Sequence, residues 1–165
     1  MSIADGFVME LEQEAVATRR VLERIPEDQL SWKPHPRSMS LGQLALHVAQ
    51  IPDMVSMLVS ADVTSPPSFV QQEATSRAEL LDSLAASLDA GKARLLNWND
   101  EQMMATWTFS AGGKTLMSAP RAGVVRTIMF NHLYHHRGQL QVYLRLLEQS
   151  VPSVYGPTAD ENPFM

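Results

Sequence analysis

The run from Arg121 to Glu148 constrains the fold of this 165-residue chain more than any other stretch, because its apolar residues recur with helical spacing and histidines interrupt them. Set His132 to zero and advance by about 100° per residue; Val125, Ile128, Met129, Leu140, Tyr143 and Leu147 then fall within about 80° of it, centred near +30°. On this reckoning His132 at zero and His136 at about +40° lie in the middle of a buried stripe, and His135 at about −60° lies at its edge. Gln139, at about −20°, shares the inward side, whereas Arg137 points about 140° away and suits a salt bridge or a contact between subunits.

Further helices accompany it. Ile3, Phe7, Leu11, Ala15, Thr18, Leu22 and Ile25 recur at spacings of three and four from Ser2 to Glu23, and Pro26 ends the run. Glu14 and Thr18 fall on or beside that stripe, where polar groups need partners. Residues Pro26 to Met39 hold prolines without periodicity and form a loop in which Trp32 plugs one end of a core and His35 is exposed. Ser40 and Gln43 have the spacing of a capping box, and Leu44, His47, Ile51, Met54, Val55 and Leu58 form the inward face of the helix that follows. Pro52 should kink or loosen it, since it cannot donate to the carbonyl of Val48.

Asp62 to Ala74, with Pro66-Pro67, reads as a crossover loop. Ser76 and Glu79 repeat the box spacing ahead of a third stripe, Leu81, Leu84, Leu88, Gly91, Leu95 and Trp98, in which Gly91 would let another helix approach. Thr106–Ser110 alternates and precedes Gly112-Gly113, which predicts a short hairpin laid against one end of the helices. Pro120 fits the first turn of the last helix. The expected architecture is all-α: one domain over residues 1–165, a four-helix bundle with a long crossover and a short β-hairpin before the last helix.

Three histidines on the inward stripes of two helices require a joint explanation, because burying an unpaired imidazole costs on the order of a few kcal/mol. A divalent metal supplies one. His132 and His136, one turn apart, offer two adjacent ligands, and His47 offers a third from a facing helix. Three protein ligands leave a coordination position open for water or substrate. With no cysteine in the chain, the ligands are nitrogen or oxygen; zinc, nickel, iron and manganese all accept such a set, and geometry rather than composition would choose among them. Ferritin-like Glu-x-x-His pairs and the H-E-x-x-H motif are both absent.

The segment Asn131-His-Leu-Tyr-His-His-Arg-Gly-Gln139 resembles the signature of the DinB-like (DNA-damage-inducible) family of the DinB/YfiT-like metalloenzyme superfamily. Leu41-Gly-Gln-Leu-Ala-Leu-His47 resembles its second-helix motif, and Val151 to Glu161 its C-terminal pattern. The resemblance implies a four-helix bundle, usually a homodimer, and a divalent metal on His47, His132 and His136. It also implies relatives that act as thiol-dependent transferases and isomerases, without naming a substrate.

The reading of function is therefore a metal-dependent enzyme of thiol-transferase or hydrolase type acting on a small molecule. Any thiol would come from a low-molecular-weight cosubstrate. Glu14 is the candidate general base, and Gln139 the candidate for orienting a ligand or the substrate. The rival is a non-catalytic dimeric module of a stress response that binds metal or ligand. A net charge of −5 with scattered basic residues argues against nucleic acid. The absence of a basic, apolar leader and of any apolar run near ~20 residues argues for a cytoplasmic chain off the membrane.

Overall fold

The computed structural model describes residues 1–63 and 70–165. Helix α1 spans Ile3–Leu22; Ser2 caps it in a reciprocal box with Asp5, and its inward face carries the buried Phe7, Leu11, Thr18 and Leu22. Helix α2, Leu41–Leu58, starts at the expected Ser40–Gln43 capping box and is buried on most of its circumference. Pro52 is accommodated inside it, and the next backbone N–H, that of Asp53, donates to Ser87 Oγ at 2.9 Å. Helix α3, Arg77–Leu96, is the principal neighbour of α2. A Cβ on Gly91 would stand 3.1 Å from the Pro52 carbonyl oxygen, so the expected close approach is real and α2 makes it. At the start of α3 only half of the expected box forms. Ser76 accepts from the Glu79 N–H, but the Glu79 carboxylate turns to the N–H and hydroxyl of Thr75, each at 2.7 Å.

Between α2 and α3 runs the long connection; the expected Pro66-Pro67 part of the crossover lies outside the described residues. A short helix α4, Asp100–Met104, capped by Asn99, precedes the hairpin and was not anticipated. Strands β1 (Thr106–Ala111) and β2 (Lys114–Pro120) pair antiparallel, with Gly112 and Gly113 at φ 56° and 76° in the turn and a register shift between Phe109 and Ser110. Trp107 anchors the hairpin to the bundle by donating from Nε1 to the Ala61 carbonyl at 2.7 Å.

The last long helix is built in three continuous pieces: α5 (Arg121–Val124), a π-helical segment (Val125–Asn131) and α6 (His132–Leu146). Here the structure corrects the angular reading. In α6 the buried residues are Leu133, Arg137, Leu140 and Leu144, which centre near 110° from His132 at about 100° per residue, not near +30°. The π turns hold one more residue than α turns, so the inward face drifts across them. Phe130, about 160° from His132 on α-helical reckoning, is fully buried and stacks on Phe7 with centroids 5.5 Å apart. The four long helices and the hairpin thus form an all-α bundle with a long crossover.

Candidate metal centre

Helices α2 and α6 run antiparallel past one another: the Tyr143 hydroxyl donates to the Met39 carbonyl at one end while His47 meets His132 and His136 further along. Trp32 sits edge-on to Tyr143, closing that end as expected, and His35 is exposed. The imidazole centroids of His47, His132 and His136 lie 4.5–5.0 Å apart. One nitrogen from each falls within a common span of 4.8 Å. His47 is buried at 7% exposure, whereas His132 and His136 are half-buried on the flank of the α6 inward face, and His135 is exposed. The cluster is therefore rooted in α2 and stands at the edge of the packed core on α6, not in the middle of its stripe.

The geometry fits a metal. His47 Nε2 and His132 Nε2 face each other at 3.3 Å. Ligand nitrogens about 2.0–2.1 Å from a tetrahedral zinc stand about 3.3–3.4 Å from one another. Nitrogens of neutral imidazoles are the required donors, and the site keeps them neutral. Burial first, then the neighbouring His136 and His132, pushes His47 down to about 4. Burial and His136 lower His132, with the Ile128 backbone opposing and His135 assisting. Burial lowers His136, with Gln139 opposing and His135 assisting. The His132 Nδ1 is buried and makes no well-formed hydrogen bond among the described residues, although Ile128 lies close enough to favour its protonated ring.

The other candidate residues fall in different places. Gln139 is exposed and not inward, yet its Oε1 stands 2.8 Å from His136 Nδ1. Glu14 is held by other partners: its Oε2 accepts from Arg137 at 2.6 Å and from the Tyr155 hydroxyl at 2.7 Å. Arg137 does make the expected salt bridge, but it is buried at 1% exposure, and it also donates to the Glu14 carbonyl and to Thr18 Oγ1. Reading α1 and α6 one at a time missed this pair. Its signal was present all the same, since Glu14 and Thr18 on the α1 stripe called for a partner and Arg137 is the cation one residue past the site. A second set of contacts, Glu10 with Arg126 and with the Tyr134 hydroxyl, ties α1 to the π-helical segment and to the first turn of α6.

Among the described residues, no helix is long and apolar enough to cross a membrane. Comparison with known proteins agrees with the fold. YrdA of Bacillus subtilis, whose function is uncharacterised, is 26% identical over 159 residues, covering 95% of this chain and 90% of that protein. A DinB-like protein of Bacillus cereus superposes with a TM-score of 0.74 at 23% identity, over 92% of this chain and 97% of its own. YfiT of Bacillus subtilis, described as a probable metal-dependent hydrolase with an unusual four-helix bundle topology, superposes with a TM-score of 0.66 at 13% identity, over 89% of each chain. With the DinB family model matching residues 1–162, the chain belongs to the DinB family.

Proposed function

We propose that this protein is a metal-dependent enzyme that transfers or hydrolyses a group on a small molecule, with His47, His132 and His136 as the ligands of a zinc or nickel ion. The observation that carries the reading is the pair of facing Nε2 atoms at 3.3 Å, with a third imidazole beside them. The description of YfiT as a probable metal-dependent hydrolase supports the hydrolytic branch. The lack of cysteine means that a thiol nucleophile in the transferase branch comes from a cosubstrate.

Bound there, a divalent cation supplies Lewis acidity, lowering the pKa of a water or thiol towards neutrality. The chain's own residues do the rest. The low proton affinity of the three imidazoles keeps their lone pairs available at neutral pH. Burial of His47 excludes water from the α2 side, and the half-buried His132 and His136 leave the opposite side accessible to a substrate.

One observation favours the non-catalytic alternative: Glu14, the candidate base, has its carboxylate engaged by Arg137 and Tyr155. Proton transfer would then fall to the substrate, to a cosubstrate or to solvent. The homodimer implied by the family resemblance belongs to the same proposal, and sedimentation of the purified chain tests it.

Elemental analysis of purified protein should find about one divalent ion per chain. His132→Ala should abolish uptake and His135→Ala should preserve it; equal uptake by His132→Ala would overturn the ligand set. With the metal loaded, turnover of esters, amides or thiol–electrophile pairs that stops on chelation identifies an enzyme. Metal binding without turnover across such a panel would favour the binding module.

A further inference from the structure

We propose that Gln139 is a positioning residue that fixes the tautomer of His136, so that Nε2 of that ring presents its lone pair to the metal. The proposal rests on the metal reading above and adds to it an assignment of which nitrogen binds and what holds it.

His136 and Gln139 lie three residues apart on α6, where helix geometry places two side chains on neighbouring positions of one face. The Gln139 Oε1 stands 2.8 Å from His136 Nδ1. An amide oxygen only accepts, so this contact requires a proton on Nδ1, and in a neutral ring Nε2 is then the unprotonated nitrogen. The opposite arrangement, with the amide NH2 donating to Nδ1, would put a hydrogen on Nε2. That hydrogen would sit on a ring whose centroid lies 4.8 Å from His47 and 4.5 Å from His132. The facing Nε2 atoms of His47 and His132 point to the same convention throughout the cluster. An acceptor on the distal nitrogen also makes the ring a better donor to a metal, as the carboxylate and carbonyl partners of metal-bound histidines do elsewhere.

The position of Gln139 makes the inference testable without harming the fold. It is exposed and lies outside the core, and among the described residues its side chain hydrogen-bonds only to His136, so substitutions there should leave the thermal midpoint nearly unchanged. Gln139→Leu removes the acceptor, and Gln139→Glu keeps an acceptor while losing the amide donor. In the metal-free protein above the histidine titration range, the ring nitrogen chemical shifts of His136 should show the Nδ1–H form in the wild type and in Gln139→Glu. They should show a mixture in Gln139→Leu. Zinc affinity, measured by competition with a chromophoric chelator, should fall roughly 10- to 100-fold in Gln139→Leu and return in Gln139→Glu.

A wild-type His136 carrying its hydrogen on Nε2, or a Gln139→Leu variant with wild-type zinc affinity, would overturn the proposal. A wild-type chain that takes up no divalent ion would instead overturn the metal reading. The tautomer measured in the metal-free protein decides the role of Gln139 separately.

Discussion

Arg137 shows how one residue can carry structural weight beside a site without belonging to it. It follows His136 directly, yet points to the other side of α6, where its guanidinium meets Glu14, Thr18 and Tyr155. Its ring neighbours Tyr134 and Tyr155 lie 5.6 and 5.2 Å below the guanidinium carbon, so aromatic faces also compensate the buried charge. Burial and the Glu14 contact push the Tyr155 hydroxyl up to about 12, so it remains a neutral donor to Glu14. Removing one partner of a buried pair leaves an uncompensated charge, whereas replacing both with apolar groups is often tolerated. Glu14→Ala should therefore destabilise the fold by about 3 kcal/mol, and Glu14→Leu combined with Arg137→Met should recover most of that loss in urea unfolding. If Glu14 were instead a general base acting at the histidines, Glu14→Ala would abolish turnover with little change in stability.

At the scale of elements, most of the bundle was legible because local chemistry and packing agree. The cap at Ser40, the stripe of α1, the proline that ends it and the Gly-Gly turn all mark their elements in the sequence, and all form as read. The clustering of His47, His132 and His136 was legible for the same reason: helical spacing from His132 to His136 holds within α6, which is regular. What escaped was the π segment immediately before it. No residue type signals an extra residue per turn, and the stripe drawn through Val125 to Leu147 assumed a single period across that break. The short α4 was missed because five residues are too few for a period to show. The close crossing of α2 and α3 offers a direct check at this scale. Gly91→Leu improves intrinsic helix propensity but drives a side chain into the Pro52 backbone, 3.1–3.2 Å from the first added carbon. Thermal unfolding should show a net loss of roughly 2 kcal/mol, the usual cost of overpacking. A more stable Gly91→Leu would mean that the two helices can move apart freely.

The whole molecule couples folding to the protonation of its buried cluster. In the folded state His47 is held down to about 4, whereas the unfolded chain titrates near the ordinary value of 6.5. Between those limits the unfolded chain binds the extra proton, so stability from this group is complete above about pH 6.5 and is lost as pH falls towards 4. The loss is on the order of 3 kcal/mol for His47, and His132 and His136 act in the same direction. Unfolding of the metal-free protein across that range should show the decline, and His47→Leu should flatten it; a wild-type profile with no decline would contradict a neutral buried His47. Away from the site, the C-terminal segment closes the seam between the first and last helices. Glu161 binds Arg20 and Arg24 of the α1 end, and Asp160 binds Arg145 of α6.

In α6, shape and chemistry occupy different sides of one rod. Leu133, Arg137, Leu140 and Leu144 fasten the helix to its neighbours, and His132, His136 and Gln139 lie outside that set. A lineage could exchange the second group while selection on folding continued to act on the first. The separation makes the bundle a durable chassis whose histidine-bearing surface is free to diverge, so chains sharing its outline need not share that surface.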